Sequence, residues 1–471
     1  MSRFNNPKAL QMLRAAPTPE ATIAHIPPVA PAAGVRVPVV YTRGAQPNTV
    51  QRWCFAVLCA YLLSSFANEF AFRLFHGKAY ISTVTVALMP ILLLATGSLL
   101  RGFDVSVGKW WLAFGVWLAI CAPFSFWKHG TAEELLNYYF RDYILYFVIC
   151  ASVLTLRNLT TLMFVQQAGA FLVVVSCMAF GSMEDGRLSV SKSVFSFLAN
   201  ANELGLQLLL GIVFLMFSFF RKGMLAKAIS FGTILLASRY MFKTGSRGVF
   251  LASVVTVMIS LFLSRNKLRV ALVVLPIFAV MVLLLPSETF HRLTYIATHS
   301  ENIRVATGED ATALSSQMQR ERLFLHSVKL TLQHPLFGVG PGQFTAAASD
   351  EQGKKGELAD WRGTHNSYTQ VSSETGFPGL IFYSAVIAIC LRMNYRVYRQ
   401  VVGRKGLEDY VGLSYCLFLS TVVYAISTFF FHIAYSAYLP VLVGMSVATH
   451  FAARPVLESL AGRETVGAAI R

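Results

Sequence analysis

The chain has 471 residues, 55% of them hydrophobic and only 13% charged, whereas soluble globular domains carry roughly one-quarter charged residues; a water-soluble enzyme is all but excluded. Phe occurs 37 times, and apolar runs of about 17 to 22 residues recur between Trp53 and Ala452, the length a helix needs to cross a hydrocarbon core. Lys plus Arg outnumber Asp plus Glu by 40 to 23, a formal charge of +17, but these charges sit mainly between the apolar runs, which points to membrane orientation and not to nucleic acid.

In chain order, residues 1–50 are rich in Pro and Ala, with Pro17, Pro19, Pro27, Pro28, Pro31 and Pro38. They read as a disordered cytoplasmic tail without a secretory apolar segment. About twelve transmembrane helices are then expected, near 53–72, 80–100, 110–127, 138–156, 160–181, 203–220, 224–241, 247–264, 269–286, 377–394, 410–431 and 435–452. The seven cysteines, Cys54, Cys59, Cys121, Cys150, Cys177, Cys390 and Cys416, fall inside these runs. They form no CxxC site or disulfide framework and read as packing residues.

Orientation follows from the short loops. With the N-terminus inside, the inner face collects Arg36, Arg43, Arg52, Arg221, Lys222, Arg265, Lys267, Arg269, Arg392, Arg396, Arg399, Arg404 and Lys405, as the positive-inside rule requires. The chain thus divides into spans 1–9 over 51–286, an outer loop over 287–376, spans 10–12 over 377–452, and a second cytoplasmic tail over 453–471. A loop of about ninety residues is too long for a turn and is expected to be functional. Within it, 315–333 reads as a helix with Met318, Leu325, Val328 and Leu332 on one face, stopped by Pro335.

Charges inside membrane spans cost roughly 2.5 to 3.5 kcal/mol each at a helix centre and so point to function. Glu69 with Arg73, and Arg141 with Asp142, lie near outer helix ends and read as interfacial pairs, and Lys227 as a snorkelling residue. Arg239, Lys243 and Arg247 follow at intervals of four and lead through KTGSRG at 243–248. As one helix they form a cationic stripe. If Gly245 breaks it, Arg247 opens the next helix beside free backbone N–H groups that suit an anion such as a diphosphate; membrane anchoring is the plain alternative. Arg187 precedes NANELG at 200–205, where Asn202 either caps the sixth span, with Glu203 complementing its dipole, or binds substrate.

The long loop holds GVGPGQF at 338–344 and GTHNSYTQVSSETGFPG at 363–379. The first lacks the Gly-Lys-Ser/Thr ending of a P-loop and reads as a tight multi-glycine turn. In the second, His365 stands just before a helical turn leading into the tenth span. Its pKa range suits it to take a proton from a sugar hydroxyl. His291, His299, His326, His334 and His432 are also expected outside, so residue type alone does not select it.

These residues resemble the bacterial O-antigen ligase and O-antigen polymerase superfamily of polytopic membrane glycosyltransferases. The likeness rests on Arg320, on HPLFGVGPGQF at 334–344, on HNSYTQVSSETGFPG at 365–379, and on the layout of about twelve spans with a long outer loop before the tenth; NANELG and KTGSRG support it. It implies an all-α, GT-C-like membrane fold and transfer of a glycan from undecaprenyl diphosphate to a glycan or lipid A core acceptor. It further implies no cofactor, nucleotide sugar or metal, and a periplasmic site at the bacterial inner membrane. By motif, His365 is the implied base, and Arg247 and Arg320 hold the diphosphate. Arg187, Asn202, Glu203, Arg239, Lys243 and Arg322 are further candidates for substrate binding.

Ligase, polymerase and transfer to a protein hydroxyl stay open at this point. A transporter or flippase of lipid-linked sugars is the alternative from another class. It calls for charged or broken helices near the bilayer midplane, whereas the charges here cluster at outer ends. Partners in either case are lipid-linked glycans and membrane lipids, not nucleic acid.

Overall fold

A backbone in hydrocarbon must satisfy its own hydrogen bonds, so apolar runs of this length fold as helices. The computed structural model describes residues 47–67, 81–184, 186–190, 200–263, 268, 309–354, 356 and 362–469, and it is mostly helical. The helices are α1 (Thr49–Phe66), α2 (Ile81–Ala95), α3 (Ser106–Cys121), α4 (Lys128–Tyr138), α5 (Leu145–Ser152), α6 (Leu156–Phe180), α7 (Ala201–Leu215), α8 (Met224–Lys243), α9 (Arg247–Leu263), α10 (Glu309–Gln333), α11 (Phe344–Lys354), α12 (Ser367–Val401), α13 (Glu408–Ser427) and α14 (Tyr438–Ala469). Between α6 and α7 a small antiparallel hairpin pairs β1 (Ser182–Glu184) with β2 (Arg187–Ser189), Ser182 facing Ser189.

Among the described residues six helices are long and apolar enough to cross a membrane: Ser106–Phe124, Leu156–Phe180, Ala201–Phe220, Ser367–Val401, Glu408–Ser427 and Tyr438–Leu460. Ser82–Ala95 and Arg247–Leu263 are shorter apolar helices. The expected ninth span at 269–286 and the pair Glu69 and Arg73 lie outside the described residues.

The expected fourth span, 138–156, is helical as far as Ser152, but it begins earlier and is not regular: α4 runs into a π-helical turn Tyr139–Tyr143 and on into α5, with Tyr138, Tyr139 and Ile144 keeping helical angles. The wide turn buries Asp142, 4% exposed at its side chain, against Arg141 at 3.3 Å. Aromatic side chains pack on the turn from the α3 side. The Tyr143 ring stacks on Trp111 at 4.8 Å, and its hydroxyl donates to the Trp111 carbonyl at 2.9 Å. The Tyr146 hydroxyl donates to the Gly102 carbonyl at 2.6 Å. Gly115 and Gly108 make room, since a Cβ at either would lie 2.3 to 2.5 Å from a tyrosine hydroxyl. Small residues at helix contacts are how membrane helices gain van der Waals packing.

The helix α10 starts at Glu309, earlier than expected, and the face it packs on the protein is not its apolar one. Met318, Leu325 and Leu332 are 45%, 60% and 66% exposed, while Leu323, Ser327, Leu330 and Thr331 are buried. This face packs on α12, where the Thr331 and Ser372 hydroxyls lie 2.8 Å apart.

Candidate active site at one end of the helices

Three segments far apart in sequence meet through Arg187 on β2. Its Nε donates to the Thr244 carbonyl at 2.9 Å, and an Nη donates to Asn202 Oδ1 at 2.6 Å. The first bond holds the turn joining α8 to α9; the second holds the first turn of α7. Asn202 is therefore not the cap. Asn200 caps α7, its Oδ1 accepting from Asn202 N at 2.9 Å. The buried Asn202 side chain is left to fix the guanidinium.

The turn itself resolves the choice between a stripe and a break. α8 ends at Lys243, Gly245 takes φ +60°, and α9 opens at Arg247, so the three cations share no continuous helix. Arg239 is exposed, and Lys243 lies 6.0 Å over the Tyr240 ring. Arg247 is half-buried. Beside it the Ser246 hydroxyl is buried with no hydrogen-bond partner among the described residues. An unpaired hydroxyl, a guanidinium and the first N–H groups of a helix are the chemistry that suits an anion.

From this turn the contacts lead to the histidine. A Cβ on Gly248 would lie 2.6 Å from Phe430, in the segment joining α13 to α14. That segment is bonded to the start of α12. Ser367 N donates to the Thr428 carbonyl at 2.7 Å, Ser367 Oγ donates to the Phe431 carbonyl at 2.6 Å, and Ile433 N donates to Ser367 Oγ at 2.9 Å. Asn366 caps α12 through Tyr368 N and Thr369 N at 2.9 and 3.1 Å. His365, just before the cap, is the described non-glycine residue with positive φ, at 52°. Its ring meets that of His432 edge to face at 5.1 Å. Enclosure among these groups pushes the His432 pKa down.

Arg320 reaches the same level from α10. That helix runs alongside the 362–377 segment in one direction, because Arg362 donates to Gln319, Thr331 meets Ser372, and Phe377 N donates to the Pro335 carbonyl at 2.8 Å. Arg320, next to Gln319 and half-buried, therefore lies level with the residues around His365. Arg322, two residues further on, is exposed.

The multi-glycine turn is held by a residue that sequence reasoning missed. Glu374, 3% exposed, accepts from Gly342 N at 3.0 Å and Phe344 N at 3.3 Å. The chain around it is paired as well, Val339 N to the Ser373 carbonyl and Gly340 N to the Glu374 carbonyl, each at 2.9 Å. Gly376 breaks α12 at φ 71°, ψ −174°, and a Cβ there would lie 2.2 Å from the Leu336 carbonyl oxygen. The acid in SETGFPG thus clamps the turn that follows α10 and fixes how α10 lies on α12. An acid two residues before a Gly-Phe-Pro break is the nearest thing to a local signal, too weak by itself to mark it.

A cavity of about 940 Å³ is lined in part by Ile433, Ser436 and Ala437 of the 428–437 segment. Glu203 and Asn200 line it; His365, Arg247, Arg320, Arg187 and Asn202 do not.

An α-helical membrane protein with arginines and a histidine gathered at one end of its helices is thereby defined. Residues 232–384 match the model of the O-antigen ligase family, a range that holds Arg247, Arg320, His365 and both glycine motifs. The match supports the resemblance to the O-antigen ligase and polymerase superfamily that the motifs carry. No curated protein matches it.

Proposed function

We propose that the protein transfers a glycan from an undecaprenyl diphosphate-linked donor to a sugar hydroxyl at the periplasmic face of the inner membrane. What supports this reading is that Arg247 opens the helix whose Gly248 packs on Phe430, that His365 meets His432 of the same segment, and that Arg320 follows Gln319, which accepts from Arg362, all within the matched range. In it, Arg247 and Arg320 hold the diphosphate, Ser246 and the start of α9 adding hydrogen bonds. Arginine suits this role because its planar fork stays charged and binds oxyanions bidentately. His365 takes the proton of the acceptor hydroxyl. The oxygen attacks the anomeric carbon from the face opposite the diphosphate, the carbon–oxygen bond to the diphosphate breaks, and the linkage inverts. The diphosphate leaves with its charge already balanced by arginine, so the residues must supply charge stabilisation and one proton acceptor. Arg187 holds the Arg247 turn in place; Arg239, Lys243 and Arg322 are assigned no contact with the diphosphate.

The test is reconstitution of the purified protein with an undecaprenyl diphosphate-linked repeat unit, alone and with a lipid A core acceptor. A ladder from donor alone means a polymerase; product only with the acceptor means a ligase. Turnover in neither arm, with the donor intact, refutes transfer.

A further inference from the structure

The cavity beside the 428–437 segment has the chemistry of a second ligand site. Its volume of about 940 Å³ lies within the roughly 300 to 1,000 Å³ of small-molecule sites. Its walls divide by polarity. Arg141, Asp142, Asn200, Glu203 and Gln207 supply donors and acceptors, whereas Leu62, Phe66, Leu210, Phe214 and Leu442 supply apolar surface. Tyr61 and Tyr438 add rings with a hydroxyl edge.

Charge decides what such a cavity holds. Arg141 is already paired with Asp142 at 3.3 Å. Glu203 has Asn200 Nδ2 at 3.5 Å and no salt bridge among the described residues. Among the described lining residues the carboxylates therefore outnumber the cations by one, and like charges repel. A diphosphate is disfavoured there. A neutral polyol is favoured, because carboxylate and amide oxygens accept from hydroxyls while amide and guanidinium N–H groups donate to them. The apolar wall adds room for an alkyl chain.

We propose that this cavity binds the sugar headgroup and first lipid segment of the acceptor glycolipid, with Glu203 as the hydroxyl-accepting pole that keeps the diphosphate donor out. The proposal rests on the transferase reading above. It adds that donor and acceptor both sit against the 428–437 segment, whose Phe430 touches Gly248 and whose Ile433 and Ser436 line the cavity.

The test uses the full-length protein in nanodiscs and an alkyl maltoside with a photoreactive group in its chain, mapped by peptide mass spectrometry. Expected are crosslinks at Phe66, Leu210 or Leu442 that lipid A core oligosaccharide competes away and farnesyl diphosphate does not. Glu203→Gln should weaken labelling about tenfold, equal to about 1.4 kcal/mol. Thr83→Trp, at an exposed rim position, should block labelling without relying on a buried substitution. Competition by farnesyl diphosphate at least equal to that by sugar overturns the proposal, as does labelling elsewhere. Equal labelling by a photoreactive phospholipid, unchanged in Glu203→Gln, would mean that bilayer lipid fills the cavity and also overturns it. Turnover is scored separately. Transfer without cavity labelling removes this site alone, whereas cavity labelling with no transfer from any donor removes the transferase reading.

Discussion

Replacing Arg187 by Lys separates a residue that positions the diphosphate site from one that touches it. The guanidinium bonds at once to the Thr244 carbonyl and Asn202 Oδ1, and a lysine ammonium, a point charge without the fork, reaches one of them. One hydrogen bond from a charged donor is lost, about 1.5 to 3 kcal/mol, and a buried acceptor loses its partner. The loss falls on the Thr244–Ser246 turn that aims Arg247. If half or more of it appears in donor binding, the donor KM rises about 4- to 160-fold. The assay is initial rate against lipid-linked donor at saturating acceptor, with Asn202→Ala beside it. Because both variants remove the same link, their effects should be less than additive in the double variant. Unchanged donor dependence in Arg187→Lys, or full additivity with Asn202→Ala, would refute the positioning argument.

His365→Asn should lower kcat at least about a hundredfold, the usual share of a general base; Asn tolerates the left-handed backbone at φ 52°, so retained turnover would count directly against the base. Arg247→Lys and Arg320→Lys keep the charge and lose the fork, and each should weaken donor binding about tenfold or more; donor titration with unchanged affinity in both would remove the diphosphate assignment. Gly376→Ala must carry a side chain at φ 71°, ψ −174°, costing about 1 to 3 kcal/mol before its contact with the Leu336 carbonyl, so detergent-solubilised protein should unfold at lower temperature; an unshifted transition would refute it. His432 has a folded pKa below its unfolded value near 6.5, so the unfolded chain binds the proton first as pH falls. Stability from this group is full above about pH 6.5 and is lost below it. His432→Phe should therefore lose less stability than wild type between pH 7.5 and 5, and parallel acid limbs would contradict the assignment.

The spans and glycine motifs were legible because length and special backbone angles write directly into composition: Gly245 ends α8 where expected, and His365 stands just ahead of α12. What failed did so for physical reasons. The helix α10 was read by its apolar face, a rule for proteins in water. Here Ser327 and Thr331 face α12 while Met318, Leu325 and Leu332 are exposed, a pattern natural where small and hydroxyl-bearing residues mediate helix contact. The 138–156 run gave no sign of its π-helical turn because hydropathy averages over Arg141 and Asp142. Asn200 displaced Asn202 as the cap because both are good caps only two residues apart, and only the tertiary partner Arg187 distinguishes them. Glu374 and His432 carry no local signal strong enough to mark them, since their partners, the 342–344 amides and His365, lie about 30 and 67 residues away in sequence.

The placement of charge gives the parts a common logic on the proposed reading. Transfer to a hydroxyl needs a strongly cationic pocket for the leaving group and a neutral or weakly acidic one for the acceptor, and the two must nearly touch. In a low-dielectric site opposite charges placed freely would pair and quench each other. The 428–437 segment keeps them apart: Phe430 packs on Gly248 next to Arg247, while Ile433 and Ser436 face the cavity of Glu203 and Asp142. Its bonds to Ser367 on one edge and its contact with His365 through His432 set the proton acceptor at the boundary, where a hydroxyl from one side would meet an anomeric carbon from the other. Lengthening this segment would therefore separate the two pockets without removing a residue from either, and binding of both substrates would persist while transfer between them failed.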